Sequence, residues 1–202
     1  PEDMPRFVGH IRTEAQRLVT LTNDIIRLSQ LDEGVDMPRE TFDLLAAANE
    51  AANDLRAEAE KKNVAIDVSG TSAMMTGVRR LIYETIYNLC DNAIKYNVGG
   101  GHADIRVEAG DGKASVTVSD TGIGIPPEYQ SRIFERFFRV DKSHSKASGG
   151  TGLGLSIVKH AVQYHGGSIR LQSSPGNGTT IRIDFPVGGA PNAQGVTAKE
   201  TV

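Results

Sequence analysis

Apolar residues recur near the start of the chain with heptad spacing. Met4, Phe7, Ile11, Leu18, Leu21, Ile25 and Leu28 occupy a and d positions, with Glu14 the one break. The pattern predicts one long helix over residues 4–31. So narrow a seam suits packing in a bundle or coiled coil, although an amphipathic helix docked on its own domain carries the same signature. Gly34, Pro38 and the mixed charges between them end the helix, so residues 1–33 form a first segment and residues 34–41 a linker. A second, Ala-rich helix is predicted over 43–62, short strands over 64–68 and 73–75, and a third helix over 78–96. Period-2 alternation then marks strands over 103–108 and 114–119, joined by a Gly110-Asp111-Gly112 hairpin turn. Residues 121–150 are rich in Gly, Pro and charge around an aromatic cluster. A helix over 152–165 and a last hairpin follow, with strands over 168–172 and 179–185. Residues 188–202 show no periodicity and read as a disordered tail. The fold class is α+β: a two-layer sandwich of helices on one face of a mixed, mostly antiparallel sheet, over residues 42–187, preceded by the long N-terminal helix.

Composition narrows the function classes. A chain of 202 residues with 39% hydrophobic content supports one full core. The net charge of −3 supplies no basic field, so nucleic acid is not an expected partner. Cys90 is the only cysteine, which excludes a disulfide within the chain and fits a reducing compartment. No apolar run approaches the ~18 residues that span a bilayer, and no signal peptide is visible. The chain begins Pro1-Glu2-Asp3, which reads as a piece excised from a longer protein. Any membrane segments would then lie upstream.

Three clusters carry chemistry. Asn88, Asn92 and Lys95 are spaced i, i+4, i+7 and share one face of the third helix, while Ile82, Ile86, Leu89 and Ala93 form a separate apolar stripe. A carboxamide oxygen is a neutral, hard ligand suited to Mg2+, and a lysine beside it suits phosphate. The same residues also describe a solvated polar face. Asp120-Thr121-Gly122-Ile123-Gly124-Ile125-Pro126 follows a strand directly. An aspartate there can accept from an exocyclic amine, and the glycines let backbone approach a flat ligand; a tight turn is the plainer reading. Gly149-Gly150-Thr151-Gly152-Leu153-Gly154-Leu155 opens a helix, where freed N–H groups and the helix dipole favour phosphate. It is not of the Walker type, since no Gly-Lys-Ser/Thr follows, and no βαβ unit surrounds it. A flexible hinge would look alike. Between the glycine segments, Ile133-Phe134-Glu135-Arg136-Phe137-Phe138-Arg139-Val140-Asp141 reads as a lid or a surface helix with a buried aromatic edge. On closure of such a lid, Arg139, Lys142 and Lys146 could meet phosphate, with Gly149 and Gly150 as its distal hinge.

Together, in this order, these segments resemble the sensor histidine kinases of bacterial two-component systems. Asn88 to Tyr96 looks like their N box, Asp120 to Pro126 their G1 box, Phe134 to Phe138 their F box, and Gly150 to Leu155 their G2 box. The resemblance covers residues 42–187 and implies a Bergerat-type fold that binds ATP with Mg2+. Carried over residue by residue, it implies that Asn92 coordinates the metal and Asn88 supports the same metal–phosphate cluster. Lys95 would contact phosphate, where Arg139 of the lid could join it, and Tyr96 would flank the nucleotide. Asp120 would bind the adenine amino group between Gly122 and Gly124. Gly150, Thr151, Gly152, Leu153 and Gly154 would form the hinge and phosphate cradle. Gyrase-type relatives place a glutamate base four residues before the metal asparagine; here that position is Asn88, which cannot activate water. Glu84 lies a further turn back and is not assigned that role.

Leu28-Ser29-Gln30-Leu31-Asp32-Glu33-Gly34 resembles the end of the family's second dimerisation helix. His10-Ile11-Arg12-Thr13-Glu14 lacks the acidic neighbour and proline of the family's phosphoacceptor motif, which belongs to the first helix. His102, His144, His160 and His165 do not match that motif either. The resemblance therefore implies a kinase domain that passes the ATP γ-phosphoryl group to a histidine absent from this chain. Relay to the receiver domain of a response regulator follows, in a homodimeric intact protein. The implied location is the cytoplasmic part of a membrane-bound sensor, attached only through segments outside this chain. The lead-in Ser148-Gly149-Gly150-Thr151 looks closest to phosphate-regulon-type or cell-wall-type kinases. An anti-sigma-factor-type serine kinase, a GHKL-type ATPase motor and a non-catalytic nucleotide-sensing GHKL module are the alternatives. The complete F box and dimerisation-like helix oppose the first, Asn88 and the lack of a transducer domain the second, and the intact boxes the third.

Overall fold

The computed structural model describes residues 4–140 and 151–187. Its elements in chain order are α1 (Met4–Asp32), β1 (Glu40–Asp43), α2 (Leu44–Lys62), β2 (Ala65–Gly70), β3 (Met74–Gly77), α3 (Arg79–Lys95), β4 (His102–Gly110), β5 (Lys113–Asp120), α4 (Pro127–Gln130), α5 (Gly154–Tyr164), β6 (Ser168–Ser173) and β7 (Thr179–Pro186). The main sheet has the order β2-β4-β5-β7-β6. Only β2 and β4 pair in parallel; the remaining ladders are antiparallel. Alternation decides which face is covered. Ala103, Ile105 and Val107 of β4, Ala114, Val116 and Val118 of β5, and Ile181, Ile183 and Phe185 of β7 are buried beneath α2, α3 and α5 in one core. Each of these Val, Ile and Phe side chains contributes about 1.5–3 kcal/mol on burial.

Small residues bring the helices close. Helix α2 buries Leu44, Ala47, Ala48, Ala51, Ala52, Leu55 and Ala59, an i, i+3, i+4 stripe in which alanine leaves room for a neighbour. Helix α3 buries the predicted stripe of Ile82, Ile86, Leu89 and Ala93. The end of α3 is held beside the end of the central strand β5, where Ile123 N donates to Tyr96 O at 3.0 Å.

Two elements differ from the sequence reading. Glu40 and Thr41, read as linker, begin β1, which pairs antiparallel with β3 in a separate two-stranded sheet, from Glu40 opposite Gly77 to Asp43 opposite Met74. Phe42 is its one buried side chain, so the segment has no period to read. Asp43 then caps α2, its Oδ1 accepting from Leu45 N and Ala73 N at 3.0 Å each. Helix α5 begins at Gly154 rather than at 152, because Gly152 has φ of +75°, outside the helical region. The expected tail at 188–202 lies outside the described residues.

Helix α1 divides its surface. Leu21 and Leu28 pack on Leu153 and Ile157, and Leu31 packs with Leu81 and Ala161 beside Met37 and Tyr164. The Tyr164 hydroxyl donates to Val35 O and accepts from Met37 N, both at 3.1 Å, pinning the segment after α1. The seam residues Phe7, Ile11, Leu18 and Ile25 remain 62%, 54%, 57% and 47% exposed. Among the described residues, no helix is long and apolar enough to cross a membrane.

Candidate functional site

The last residue of β5 is Asp120, half-buried where the strand leaves the sheet. Its Oδ1 accepts from Gly122 N at 2.8 Å and Thr179 N at 3.2 Å. Burial pushes this carboxyl above its ordinary value, against the lowering effect of the two amides. Among the described residues Oδ2 takes no hydrogen bond, so a carboxylate acceptor stands ready at the strand end. The loop beyond it is laced to its surroundings by backbone. Ile123 N donates to Tyr96 O at 3.0 Å, Gly178 N to Gly122 O at 3.0 Å, and Gly176 N to Ile123 O at 2.8 Å. A Cβ on Gly122 would overlap Tyr96 O and come within 2.8 Å of the Asp120 carboxylate. At Gly124, φ of +68° and the adjacent Ser174 carbonyl exclude a side chain on both counts.

Sequence reasoning missed the residue that anchors this loop to α3. Asn97 is buried; its Nδ2 donates to His102 O at 2.8 Å, and its Oδ1 accepts from Val98 N at 2.9 Å and Thr121 Oγ1 at 3.2 Å. Thr121 Oγ1 in turn accepts from His102 N at 2.9 Å. The available signal was an asparagine followed by glycines at 99, 100 and 101, a backbone stretch in need of a side-chain partner. Ser173 was also missed: its Oγ accepts from Ile125 N and donates to Gly178 O, both at 2.8 Å.

Asn88, Asn92 and Lys95 lie half-buried on the polar face of α3. The Asn88 Oδ1 is 3.1 Å from where a Cβ on Gly154 would lie, so the structure brings the carboxamide face against the first residue of α5. Lys95 Nζ pairs with Asp91 Oδ2 at 2.6 Å, and the Lys62 ammonium donates to the Lys95 carbonyl. Burial, with Lys95 nearby, lowers the Lys62 pKa. Tyr96, the C-cap of α3, is exposed. Cys90, on the opposite side of the helix, is buried and its thiol is pushed up to about 12, which makes it inert packing rather than chemistry.

Thr151, Gly152 and Leu153 lead into α5. Thr151 Oγ1 accepts from Leu153 N at 3.3 Å and donates to Asp24 Oδ2 of α1 at 3.0 Å. Phe137 N donates to Gly152 O at 3.0 Å, tying the aromatic segment to this entry. Within that segment Ile133 is buried, and Phe138 packs near Tyr129 beneath the Arg132 guanidinium, 4.4 Å from its ring centroid. Phe137 is 58% exposed and Arg139 half-buried. Arg136 pairs with Asp32 of α1 at 2.5 Å. Lys142, Lys146, Gly149 and Gly150, expected in the lid and cradle, lie outside the described residues, as do Asp141 and His144.

A concavity on the open face of the sheet, lined by Gly70, Thr71, Arg106, Glu108 and Arg182, does not compete as a site. Its arginines are committed to carboxylates, Arg106 to Glu108 at 2.9 Å and Arg182 to Glu108 at 2.8 Å and Asp184 at 2.9 Å.

Known proteins resemble this chain in sequence and fold. The family of histidine kinase-, DNA gyrase B- and HSP90-like ATPases matches residues 77–189. The sensor-like histidine kinase SenX3 of Mycolicibacterium smegmatis is 38% identical over 188 residues, 92% of this chain and 49% of its own length. The phosphate regulon sensor protein PhoR of Pseudomonas aeruginosa is 35% identical over 183 residues, 89% of this chain and 41% of its own. The solved structure of the mycobacterial sensor histidine kinase MprB superposes with a TM-score of 0.65 at 30% identity, over 74% of this chain and 97% of that one. The chain spans about half the length of the curated relatives it matches. Because the matched segment runs from the start of α3 through β7 and so contains Asp120, the carboxamide face and the entry to α5, the chain belongs to the histidine kinase-, DNA gyrase B- and HSP90-like ATPases, as a catalytic domain of the sensor histidine kinase type.

Proposed function

We propose that this domain binds Mg·ATP between Asp120 and the entry to α5, and donates the γ-phosphoryl group to a histidine carried outside residues 1–202. The observation that carries this reading is Asn88: the residue lying against Gly154 is a carboxamide, which can bind but cannot take a proton from water. A transferase needs such a site, because hydrolysis would waste the phosphoryl group. In this reading Asp120 accepts from the adenine amino group, with Gly122 and Gly124 giving clearance and Tyr96 beside the base. Gly150, Thr151, Gly152, Leu153 and Gly154 supply backbone N–H groups to the phosphates. Lys95 leaves Asp91 to meet phosphate, and Arg139 adds lid charge.

The donor set fits a magnesium ion held mainly by phosphate oxygens. Asn92 offers one neutral oxygen, and among the described residues no cluster of three His, Cys, Asp or Glu could cage a metal alone. Mg2+ bound there would neutralise charge on the terminal phosphates. The imidazole nitrogen of the acceptor attacks the γ-phosphorus, the bond to the β-phosphate oxygen breaks, and ADP leaves. The chain's contribution is positioning and charge stabilisation. We further propose that residues 1–33 are the second helix of a dimerisation domain, 34–41 a linker, 42–187 the ATP-binding domain and 188–202 a tail. The intact protein would be a homodimer signalling to a response regulator receiver domain, and a membrane-bound sensor with this domain in the cytoplasm. The test combines calorimetry of ATP·Mg with labelling from γ-labelled ATP, adding in trans a dimerisation domain that carries the acceptor histidine. Saturable binding, no self-labelling and labelled acceptor are expected. Phosphate release to water outpacing acceptor labelling would overturn the proposal.

A further inference from the structure

The docked face of α1 carries more than apolar contact. Leu21, Asp24, Leu28 and Leu31 recur at intervals of three or four and so face one side, with Asp32 at its margin. Leu28 and Leu31 are buried on that side. Three polar residues of α1 flank them. Arg27 pairs with Glu84 of α3 at 2.5 Å. Asp32 meets Arg136 of the aromatic segment at 2.5 Å and His160 of α5 at 3.2 Å. Asp24 accepts from Thr151 at 3.0 Å. Thr151 lies in the segment read above as the phosphate cradle, and its hydroxyl already accepts from Leu153 N. A carboxylate therefore reaches the entrance of α5 from outside the domain. That entrance is where unpaired N–H groups and the helix dipole attract an anion.

We infer that Asp24 is a specificity-determining residue for the terminal phosphate, holding a resident negative charge at the cradle while α1 is docked. The inference rests on the nucleotide-site reading above. Docked α1 then opposes ATP more than ADP, because the triphosphate brings one further negative charge toward the same end of α5. Asp32 of the same helix also holds Arg136 of the aromatic segment, three residues before Arg139. Linkage makes the effect mutual: a nucleotide that binds worse to the docked form must shift α1 toward release. A like unit charge at the same end of α5, screened by the protein surface and solvent, amounts to about a fivefold factor in affinity.

The experiment titrates ATP·Mg and ADP·Mg into the full chain, as wild type, Asp24→Asn and Asp36→Asn. Asp36→Asn removes the same charge from an exposed site in the segment after α1. In parallel, spin labels at Gln16→Cys and Lys113→Cys report the distance from α1 to the sheet, since buried Cys90 does not label. Asp24→Asn is expected to raise the ratio of ATP to ADP affinity about fivefold and Asp36→Asn to leave it unchanged. Saturating ATP should broaden or lengthen the label distance more than ADP does. Binding of both nucleotides with an unchanged ratio in Asp24→Asn and an unmoved label distance would overturn this inference alone. Absence of binding in all three proteins, each folded by circular dichroism, would overturn it together with the nucleotide-site reading.

Discussion

Asp120→Asn should separate binding from folding, because the two carboxylate oxygens have different work. Oδ1 accepts from Gly122 N and Thr179 N, whereas Oδ2 has no partner among the described residues. In the amide, a carbonyl oxygen remains to take both backbone donors, and the NH2 group replaces Oδ2. Each retained bond loses charge assistance, roughly 0.5–1.5 kcal/mol. Removing a half-buried charge, for which burial outweighs the two amides and raises the pKa, offsets that loss. Net destabilisation should stay within about 1 kcal/mol. Toward an adenine amine the same change turns an acceptor into a donor. It forfeits a charge-assisted bond of about 1.5–3 kcal/mol and adds an unpaired donor, which together lower affinity roughly 30- to 1000-fold. Asp120→Ala behaves differently. It strands the Gly122 and Thr179 amides, about 1–3 kcal/mol each, and so unfolds more easily as well as binding poorly. Calorimetric titration of ADP·Mg and urea denaturation of both variants make the comparison. An Asp120→Asn protein that binds ADP within threefold of wild type, or that loses as much stability as Asp120→Ala, would refute the division of labour.

Other consequences are sharper in direction than in size. Because burial raises the folded-state pKa of Asp120, protonation should begin to weaken ADP binding as pH falls toward a value above 3.8; the group's own contribution to stability has the opposite sense, fully present below 3.8 and lost as pH rises through the folded value. A pH series of titrations paired with denaturation measures both. Gly124→Ala forces φ of +68° on an alanine and drives its Cβ into the Ser174 carbonyl; nucleotide affinity should fall at least about tenfold with the far-ultraviolet dichroism unchanged. Tyr164→Phe removes the hydroxyl shared by Val35 O and Met37 N and should cost about 1–3 kcal/mol, with amide exchange accelerated at Met37. His165 is buried, accepts from Val78 N at 3.0 Å through Nε2, and has its pKa lowered by burial. Its folded value lies below the ordinary 6.5, so stability is full above that value and falls as pH drops from there through the folded value, a slope that His165→Gln should flatten.

Long periodic segments were legible in the sequence, and contacts made by backbone were not. Helix α1 announced itself by a heptad of seven positions, α3 by an apolar stripe of four beside a polar face, α2 by its Ala-rich composition, and β4 and β5 by alternation around a Gly-Asp-Gly turn. Strand β1 has one buried side chain and stayed hidden. The start of α5 was misplaced because a glycine at φ of +75° looks in sequence like any helix-opening glycine. For the site, Asp120, Asn88, Asn92 and Lys95 could be read because they share a strand end and a helix face. Asn97 could not, since its role is to satisfy carbonyls and hydroxyls across the gap between α3 and β5. Nor could the pairing of Lys95 with Asp91 be foreseen: i, i+4 spacing permits that pair, but a lysine free to meet phosphate has the same sequence. The contact between Asp24 and Thr151 spans 127 positions, beyond any local pattern.

Of the two readings of α1 left open by its heptads, docking on the same chain is seen on one side of the rod, and the seam that a bundle would use lies exposed on another. At about 100° per residue, Leu18 and Ile25 lie nearly in line along the helix, and this line is exposed with Phe7 and Ile11. Leu28 is rotated about 60° from Ile25, and Asp24 about 100°; these are the positions that touch Leu153, Ile157 and Thr151. A partner helix laid along the exposed seam therefore need not displace the catalytic domain from the other side. It would bear on the same rigid element, because a continuous helix has no joint at which rotation could be absorbed. Any roll of α1 that improves packing on the seam carries Asp24, Arg27 and Asp32 around with it, and so shifts their contacts with Thr151, Glu84 and Arg136. Coupling between the two faces then requires no chain of intermediates, only that the heptad seam and the docking face belong to one helix and that neither can turn without the other.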